Sequence, residues 1–359
     1  MRRALALAAL GRGTVSPNPL VGAVVARGPR VVGQGYHRRP GEPHAEVIAL
    51  AEAGARAEGA TLYTNLEPCC HTGRTPPCAE EIIRAGVRKV VTAMRDPNPR
   101  VDGGGIRSLR QNGVRVDVGL HEEEAEELNR AFVKLITTGL PWVTIKAGTS
   151  LDGRIATSTG RSKWITSAEA REHARRLRLE NDAIMVGIGT VLADDPRLGP
   201  TARRSPHSKR ILRVIMDRRL RFPPRSRLAR TLREGPVLVF AGAAAPAPKR
   251  RQLERLGVEV DVLPLENGRL HLGEALRRLA SREIGCLLVE GGGELNAAFV
   301  ERRLADRLVL YVAPKLIGGR DAPSFVSGEG ARTPAAATVV VLRSCVRVGE
   351  ELLLESDFV

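Results

Sequence analysis

Residues 67–78 read Glu67-Pro68-Cys69-Cys70-His71-Thr72-Gly73-Arg74-Thr75-Pro76-Pro77-Cys78, and His44-Ala45-Glu46 precedes them by about one strand and one helix. The segment follows an apolar and β-branched run, Thr61–Leu66, that predicts a strand, and leads into a helical pattern over Ala79–Ala85. A second helical pattern, Ala45–Ala53, begins directly after His44. Pro76 and Pro77 suit the start of a helix, where a missing N–H costs nothing. Two helix starts would therefore meet near the end of one strand. Outward from there, Val21–Ala26, Val31–His37, Lys89–Ala93 and Val114–Val118 also predict strands, and Ile106–Gln111 and Glu122–Ile136 predict helices. Gly54, Gly86 and Gly113 stand where helices stop. That alternation predicts a three-layer α/β domain.

The residue types at the two helix starts point to a hydrolytic zinc centre. One histidine and two thiolates, His44, Cys69 and Cys78, leave the fourth tetrahedral position open for water. Zinc brings the pKa of such a water near neutrality. Glu46, two residues after His44, can carry a proton from that water to a departing amine. A helix N-terminus also favours a thiolate at Cys78. A capping histidine and two buried or bridged thiols would be the bland account, but it leaves Glu46 without a reason. Cys70 cannot share the geometry of its neighbour and reads as a bystander.

Length and composition narrow the class. A chain of 359 residues suits two domains, and its 43% hydrophobic content suffices for two cores. No uninterrupted apolar run approaches the roughly 18–20 residues that span a bilayer, so no membrane association is expected. The opening, with Arg2 and Arg3 before a short apolar run, lacks a cleavage pattern and predicts an amphipathic helix instead of an export signal. Five cysteines, an odd number, argue against a disulfide framework. The net charge of +16 invites a nucleic-acid partner. Six Phe, three Tyr and two Trp in the whole chain leave little to stack on bases, so a solvated basic surface serving phosphorylated small molecules is the expectation.

The spacing of the two cysteines is not C-x-x-C. It resembles the motif E-P-C-x-H-x-G-x-T-P-P-C of the diaminohydroxyphosphoribosylaminopyrimidine deaminase family. Pro17-Asn18-Pro19-Leu20-Val21-Gly22-Ala23-Val24, Gly41-Glu42-Pro43-His44-Ala45-Glu46 and Asp96-Pro97-Asn98-Pro99 are similar to the same family. The resemblance implies a cytidine-deaminase-like fold over residues 1–139. It also implies that Asn18 and His37 face the pyrimidine, and that His71 and Arg74 approach the ribose phosphate of the substrate. Judged without it, Asn18 serves as readily to shape a turn between two prolines.

Thr138-Gly139-Leu140-Pro141 marks the boundary, after which a new alternation starts. Strands are predicted at Trp142–Lys146, Ala183–Val186, Ile211–Met216, Val237–Phe240, Cys286–Val289 and Leu308–Val312, and helices at Ala168–Leu179, Leu272–Leu279 and Leu295–Leu304. Residues 241–252 read as a loop or short irregular helix. Val339–Leu342, Val346–Val348 and Leu352–Leu354 read as antiparallel strands completing the sheet. The turn Gly291-Gly292-Gly293 lies between a strand and a helix, equally a tight connection or a phosphate-binding loop.

Here too a resemblance carries further. Lys146-Ala147-Gly148-Thr149-Ser150-Leu151-Asp152-Gly153-Arg154, Ser162-Lys163-Trp164-Ile165-Thr166, Thr190-Val191-Leu192-Ala193-Asp194-Asp195-Pro196, Ala313-Pro314-Lys315 and Gly318-Gly319 resemble, in order, the riboflavin-pathway reductases. That implies a dihydrofolate-reductase-like α/β domain over 140–359. By the same resemblance Gly148, Trp164, Thr190, Asp194, Gly292, Gly293 and Glu294 contact NADPH, and Ser162, Arg178, Leu198 and Glu290 line the substrate pocket. Trp164 as a core anchor and Arg178 as an exposed helix charge are what composition alone suggests. Two positions depart from the family: Arg218 follows Asp217 where a serine is usual, and the arginine expected soon after D-D-P-x-L is displaced to Arg203. Arg218 bears on the choice of NADPH over NADH. No side chain of this half stands out as a proton donor.

Together the two halves imply a bifunctional enzyme of riboflavin biosynthesis using Zn2+ and NADPH. It would hydrolytically deaminate 2,5-diamino-6-(5-phosphoribosylamino)pyrimidin-4(3H)-one and then reduce the ribosyl group to ribityl. A cytoplasmic homo-oligomer acting on phosphorylated pyrimidines, without nucleic acid, is expected. The alternatives are a nucleic-acid-editing deaminase with an accessory domain, or a silent binding protein on the same fold.

Overall fold

The alternation of the first half becomes a five-stranded sheet in the computed structural model, which describes residues 1–70, 77–99, 101–199 and 210–359. The chain divides into two units, Met1–Leu140 and Pro141–Val359. The first runs α1 (Arg2–Ala9), β1 (Gly22–Arg27), β2 (Arg30–Tyr36), α2 (Ala45–Ala53), β3 (Thr61–Leu66), α3 (Cys78–Arg84), β4 (Lys89–Met94), α4 (Gly104–Gln111), β5 (Arg115–Val118) and α5 (Glu122–Thr138). Strand order is β2-β1-β3-β4-β5. β1 pairs antiparallel with β2 and β3, whereas β3, β4 and β5 run parallel.

Two glycines let helices lie directly on this sheet. A Cβ on Gly22 would stand 2.1 Å from the Ala4 carbonyl oxygen of α1, and one on Gly33 would stand 2.1 Å from the Ala49 oxygen of α2. Gly22 and Gly33 point to opposite faces, because Gly33 pairs with Val25, an odd number of residues from Gly22. Helices α1 and α2 therefore cover the two faces and make three layers. The core between sheet and α2 is built from small residues, Ala23, Val25, Ala45, Ala49, Ala53, Leu62 and Val90. This is what a chain so poor in aromatics requires.

The second unit contains β6 (Trp142–Ser150), α6 (Ala168–Leu179), β7 (Ala183–Gly187), α7 (Ile188–Asp194), β8 (Leu212–Met216), α8 (Arg227–Arg230), β9 (Val237–Gly242), α9 (Ala247–Arg255) and β10 (Glu259–Leu263). It continues through β11 (Leu265–Glu266), β12 (Arg269–Leu270), α10 (Leu272–Ala280), β13 (Cys286–Val289), α11 (Gly293–Glu301), β14 (Arg307–Ala313), β15 (Val340–Val348) and β16 (Glu351–Phe358). Nine strands form one sheet in the order β10-β9-β8-β7-β13-β6-β14-β16-β15. From β10 to β14 every neighbouring pair is parallel, and β16 and β15 close it antiparallel.

The central strands are apolar without alternation because both faces are covered. Leu287, Leu288 and Val289 of β13 are wholly buried, each worth about 1.5–3 kcal/mol of burial. Ser167 caps α6 by accepting from the Ala170 N–H (3.2 Å), and His271 Nδ1 caps α10 by accepting from the Glu274 N–H (3.1 Å). Several expectations are adjusted. The two tail segments around 339–348 are one strand with a register shift between Leu342 and Ser344. Residues 247–255 form a regular helix, with Pro248 in its first turn. The helix expected over Leu295–Leu304 begins at Gly293 and ends at Glu301. No helix among the described residues is long and apolar enough to cross a membrane.

Candidate functional site

In the first unit His44 occupies the position just before α2, and Cys78 is the first residue of α3 after Pro77. The Cys69 loop leaves β3 between them. His44 Nδ1 lies 3.0 Å from Cys78 Sγ and 3.5 Å from Cys69 Sγ, and the Cys78 N–H donates to Cys69 Sγ at 3.3 Å. All three donor atoms fall within 4.8 Å of one another. Donors sharing a tetrahedral zinc stand roughly 3.5–4 Å apart, and one imidazole nitrogen with two thiol sulfurs gathered this closely fits that ion. The Cys78 thiol and the His44 ring beside Cys69 hold its thiol down at about 4 against the cost of burial. Cys78 shares that contact from the other side and, being deeply buried, has its own thiol raised.

Glu46 sits in the first turn of α2, buried and in contact with Cys78. Burial pushes its carboxyl up to about 7, only partly offset by the neighbouring imidazole of His44. A carboxyl so poised exchanges protons near neutral pH. His37 is buried with its ring edge-on to His44, centroids 5.4 Å apart. Asn18 Nδ2 donates to His37 Nε2 (3.0 Å) and the opposite ring nitrogen donates to the Pro43 carbonyl (3.3 Å). Burial lowers the His37 pKa, consistent with that neutral tautomer. The structure thus brings Asn18, His37, His44, Glu46, Cys69 and Cys78 together. His71 and Arg74, and in the other half Arg203, lie outside the described residues. Cys70 turns away, with a Cβ on Gly104 falling 2.7 Å from its sulfur.

One residue of this site was not singled out from sequence. Glu67 is buried, and its carboxylate accepts from the Ile106 N–H (3.1 Å) and the Asp96 N–H (3.3 Å). Gly105 completes the clamp, since a Cβ there would stand 1.9 Å from the Pro68 oxygen. The start of α4 is thereby locked under the loop that carries Cys69. Glu67 was visible within the motif, but its partners lie about 30 and 40 residues away in sequence.

In the second unit a cavity of about 1290 Å³ opens at the carboxyl ends of β7, β8 and β13. Ser162, Thr190, Asp194, Glu290, Gly292, Gly293 and Glu294 line it. The glycine turn begins α11 and is pressed onto the following segment, for a Cβ on Gly293 would meet the Ser324 oxygen at 2.3 Å. A helix start with free N–H groups facing a cavity this large suits the phosphates of a dinucleotide.

Arg178 grips Glu290 with two hydrogen bonds, Nε to Oε1 at 2.7 Å and Nη2 to Oε2 at 3.0 Å, and donates to the Gly199 carbonyl at 3.0 Å. Lys146 Nζ lies 3.5 Å from Glu290. Burial raises the Glu290 carboxyl, and Lys146 and Arg178 override it to leave it at about 2. Arg178 is therefore a structural partner of the site and not an exposed helix charge. Trp164, 63% exposed, is no core anchor; its ring lies 4.1 Å from the Arg171 guanidinium carbon. Among the other expected contacts, Leu198 is buried in the apolar core with Ile184 and Ile211, and Gly148 packs against Thr166. Lys146 was missed because a single lysine in a strand reads as an exposed charge. Its ammonium also faces the Tyr311 ring (5.9 Å), whose hydroxyl is bonded to His173 at 2.7 Å.

Residues 141–354 match the family described as RibD C-terminal domain, and residues 1–94 match the cytidine and deoxycytidylate deaminase zinc-binding region. The riboflavin biosynthesis protein RibD of Bacillus amyloliquefaciens is 44% identical over 99% of this chain and 94% of its own length. The chain belongs to the RibD family. It carries both the deaminase and the reductase domain of that family. Acinetobacter baumannii RibD superposes with a TM-score of 0.90 at 36% identity, covering 100% of this chain and 97% of that one. A Thermotoga maritima protein named diaminohydroxyphosphoribosylaminopyrimidine deaminase/5-amino-6-(5-phosphoribosylamino)uracil reductase gives 0.87 at 33% identity, with the same coverage.

Proposed function

We propose that the chain catalyses two successive steps of riboflavin biosynthesis. Residues 1–139 deaminate 2,5-diamino-6-(5-phosphoribosylamino)pyrimidin-4(3H)-one, and residues 140–359 reduce the ribosyl group of the resulting uracil to ribityl. The observation that carries this reading is the convergence of His44, Cys69 and Cys78 beside a buried Glu46, on a chain that also holds a dinucleotide-sized cavity. When bound, zinc supplies an activated water at neutral pH and NADPH supplies a hydride.

His44, Cys69 and Cys78 would hold the zinc. Glu46, with its carboxyl near neutrality, takes a proton on the water side and returns it to the leaving amine. His37, kept neutral by burial, orients Asn18, whose amide oxygen and remaining N–H would meet the pyrimidine edge. In the second half the Gly292–Glu294 turn, Thr190 and Asp194 would hold NADPH, together with Gly148 and Trp164. Lys146 and Arg178 keep Glu290 ionised, and so an acceptor for the hydroxyls of the substrate's sugar chain, beside Ser162 and Leu198. Among the described residues, Lys146 is the one cationic N–H donor at that carboxylate besides Arg178. The two halves work as a homo-oligomer in the cytoplasm.

A coupled assay on zinc-loaded protein tests this: ammonia release from the diaminopyrimidinone, then NADPH consumption by absorbance. Ammonia that disappears in Glu46→Ala, followed by NADPH oxidation in wild type, is expected. Absence of ammonia from the zinc-loaded protein would reject the substrate and bring forward a deaminase of nucleic-acid bases. Ammonia without NADPH oxidation would reject the reductase half alone.

A further inference from the structure

Helix α5 buries two of its residues, Ala125 and Asn129, and the second is polar. Asn129 is 2% exposed, and burying an amide costs stability unless both its ends are bonded. Both are bonded, to one residue 109 positions earlier. Asn129 Oδ1 accepts from the Leu20 N–H at 2.8 Å, and its Nδ2 donates to the Leu20 carbonyl at 3.1 Å. Asn65, wholly buried near the end of β3, repeats the pattern one step along. Its Nδ2 donates to the same Leu20 carbonyl (2.8 Å), and its Oδ1 accepts from the Gly22 N–H (2.8 Å).

The strand register explains why amides stand here. The ladder between β1 and β3 runs from Ala26 back to Ala23, which pairs with Thr64. Before Ala23 the chain leaves β3, so the backbone groups of Leu20 and Gly22 on that side need other partners. The two asparagines supply them, because an amide carries a donor and an acceptor in one plane and so takes the place of a peptide. The segment leaving the sheet is the one that carries Asn18. The Asn18 N–H donates to the Val15 carbonyl (2.9 Å), its Nδ2 donates to His37 Nε2 (3.0 Å), and the His37 N–H donates to the Val21 carbonyl (2.9 Å). Asn18, Leu20 and His37 therefore form one frame beside His44, and Asn129 holds that frame from α5.

We propose that Asn129 is a positioning residue of the deaminase, fixing the Leu20 peptide so that Asn18 is held where the pyrimidine must meet it. The proposal rests on the deaminase reading above. Among the described residues the Asn129 side chain bonds Leu20 alone, so its route to the reaction is through this loop. Asn129→Leu keeps the branched shape and removes both bonds. The Leu20 carbonyl then still has Asn65, while the Leu20 N–H loses its acceptor. The loop gains freedom two residues beyond Asn18, and substrate binding should feel it before the metal does.

Asn129→Leu, Asn18→Ala and the double variant, each in the full zinc-loaded chain, test this with ammonia release resolved into kcat and KM for the diaminopyrimidinone. Asn129→Leu should raise KM about tenfold, with kcat reduced less than about threefold. Zinc content should stay that of wild type, and NADPH oxidation with the deaminated substrate supplied directly should be unchanged. Because Asn129 works through Asn18, the double variant should be no more than about twofold worse than Asn18→Ala alone. Effects that multiply would make Asn129 a general brace of the fold and overturn the proposal, as would a KM equal to wild type. Should Asn129→Leu cost the unit its zinc, Asn129→Ser, which leaves room for a water, carries the same cycle, and zinc loss there too would overturn the proposal. Wild type that holds zinc and releases no ammonia would bring down the deaminase reading, and this role with it.

Discussion

Replacing Glu67 by glutamine changes one atom and should loosen the first unit markedly. Both carboxylate oxygens accept from backbone N–H groups, Ile106 at 3.1 Å and Asp96 at 3.3 Å, and the side chain is 2% exposed. The amide can keep one acceptor, but its NH2 must then face the other N–H, donor against donor. A hydrogen bond to a charged acceptor is worth about 1.5–3 kcal/mol, and a buried N–H left unpaired costs about 1–3 kcal/mol. Allowing for relaxation, the expected loss is about 3 kcal/mol. For a unit of Met1–Leu140 that corresponds to a melting shift of about 10 °C. Calorimetry resolves the transition, and a chelator competition on the same protein reports the zinc affinity of the Cys69 loop that Glu67 precedes. A shift below about 3 °C would refute the clamp, because the two N–H groups would then have found other acceptors at no cost.

Chelation of zinc should abolish ammonia release while leaving NADPH oxidation intact when the deaminated substrate is supplied directly, as absorbance would show. Gly105→Ala should cost about 2–4 kcal/mol, because its methyl must displace the Pro68 oxygen 1.9 Å away; a urea midpoint equal to wild type would contradict the close approach. The lowered carboxyl of Glu290 stabilises the fold above its ordinary pKa of about 4.5, by up to about 3 kcal/mol, and this is lost as pH falls towards 2. Glu290→Gln should therefore be less stable than wild type at pH 7 but flatter in unfolding free energy between pH 5 and 3; parallel curves would contradict the pairing.

How much was legible depends on how far apart the interacting residues lie. Ala45–Ala53, Thr61–Leu66, Ala168–Leu179 and Cys286–Val289 are the elements the pattern predicts, to the residue. Each has a strong local period and a clear stop. The strand Glu259–Leu263 was passed over because it is a short edge strand whose charges alternate with valines. The helix Ile188–Asp194 was hidden by Gly187 and Gly189, which read as loop. Arg213 shows the limit most plainly. It lies in β8 at 1% exposure, where Nη1 donates to the Thr231 hydroxyl (2.8 Å) and Nη2 to the Thr231 carbonyl (2.9 Å) from a distant loop. Nothing around position 213 announces those acceptors.

The two sites differ for the same reason. A zinc ion demands donors of particular chemistry at the ends of two helices that flank one strand, so the demand is written in two short motifs that chemistry alone can interpret. A dinucleotide demands a long wall, and the cavity proposed for it is assembled from the ends of β7, β8 and β13 and from a hairpin past β10. Each contribution is one or two residues of ordinary type, a glycine turn or an arginine pair, and its meaning appears only when parallel pairing places the strand ends side by side. The same holds for Lys146 and Glu290, which are 144 positions apart in the numbering and 3.5 Å apart in space. Chemistry concentrated in unusual residues survives in a sequence pattern, whereas chemistry made by bringing common residues together is a property of the sheet order.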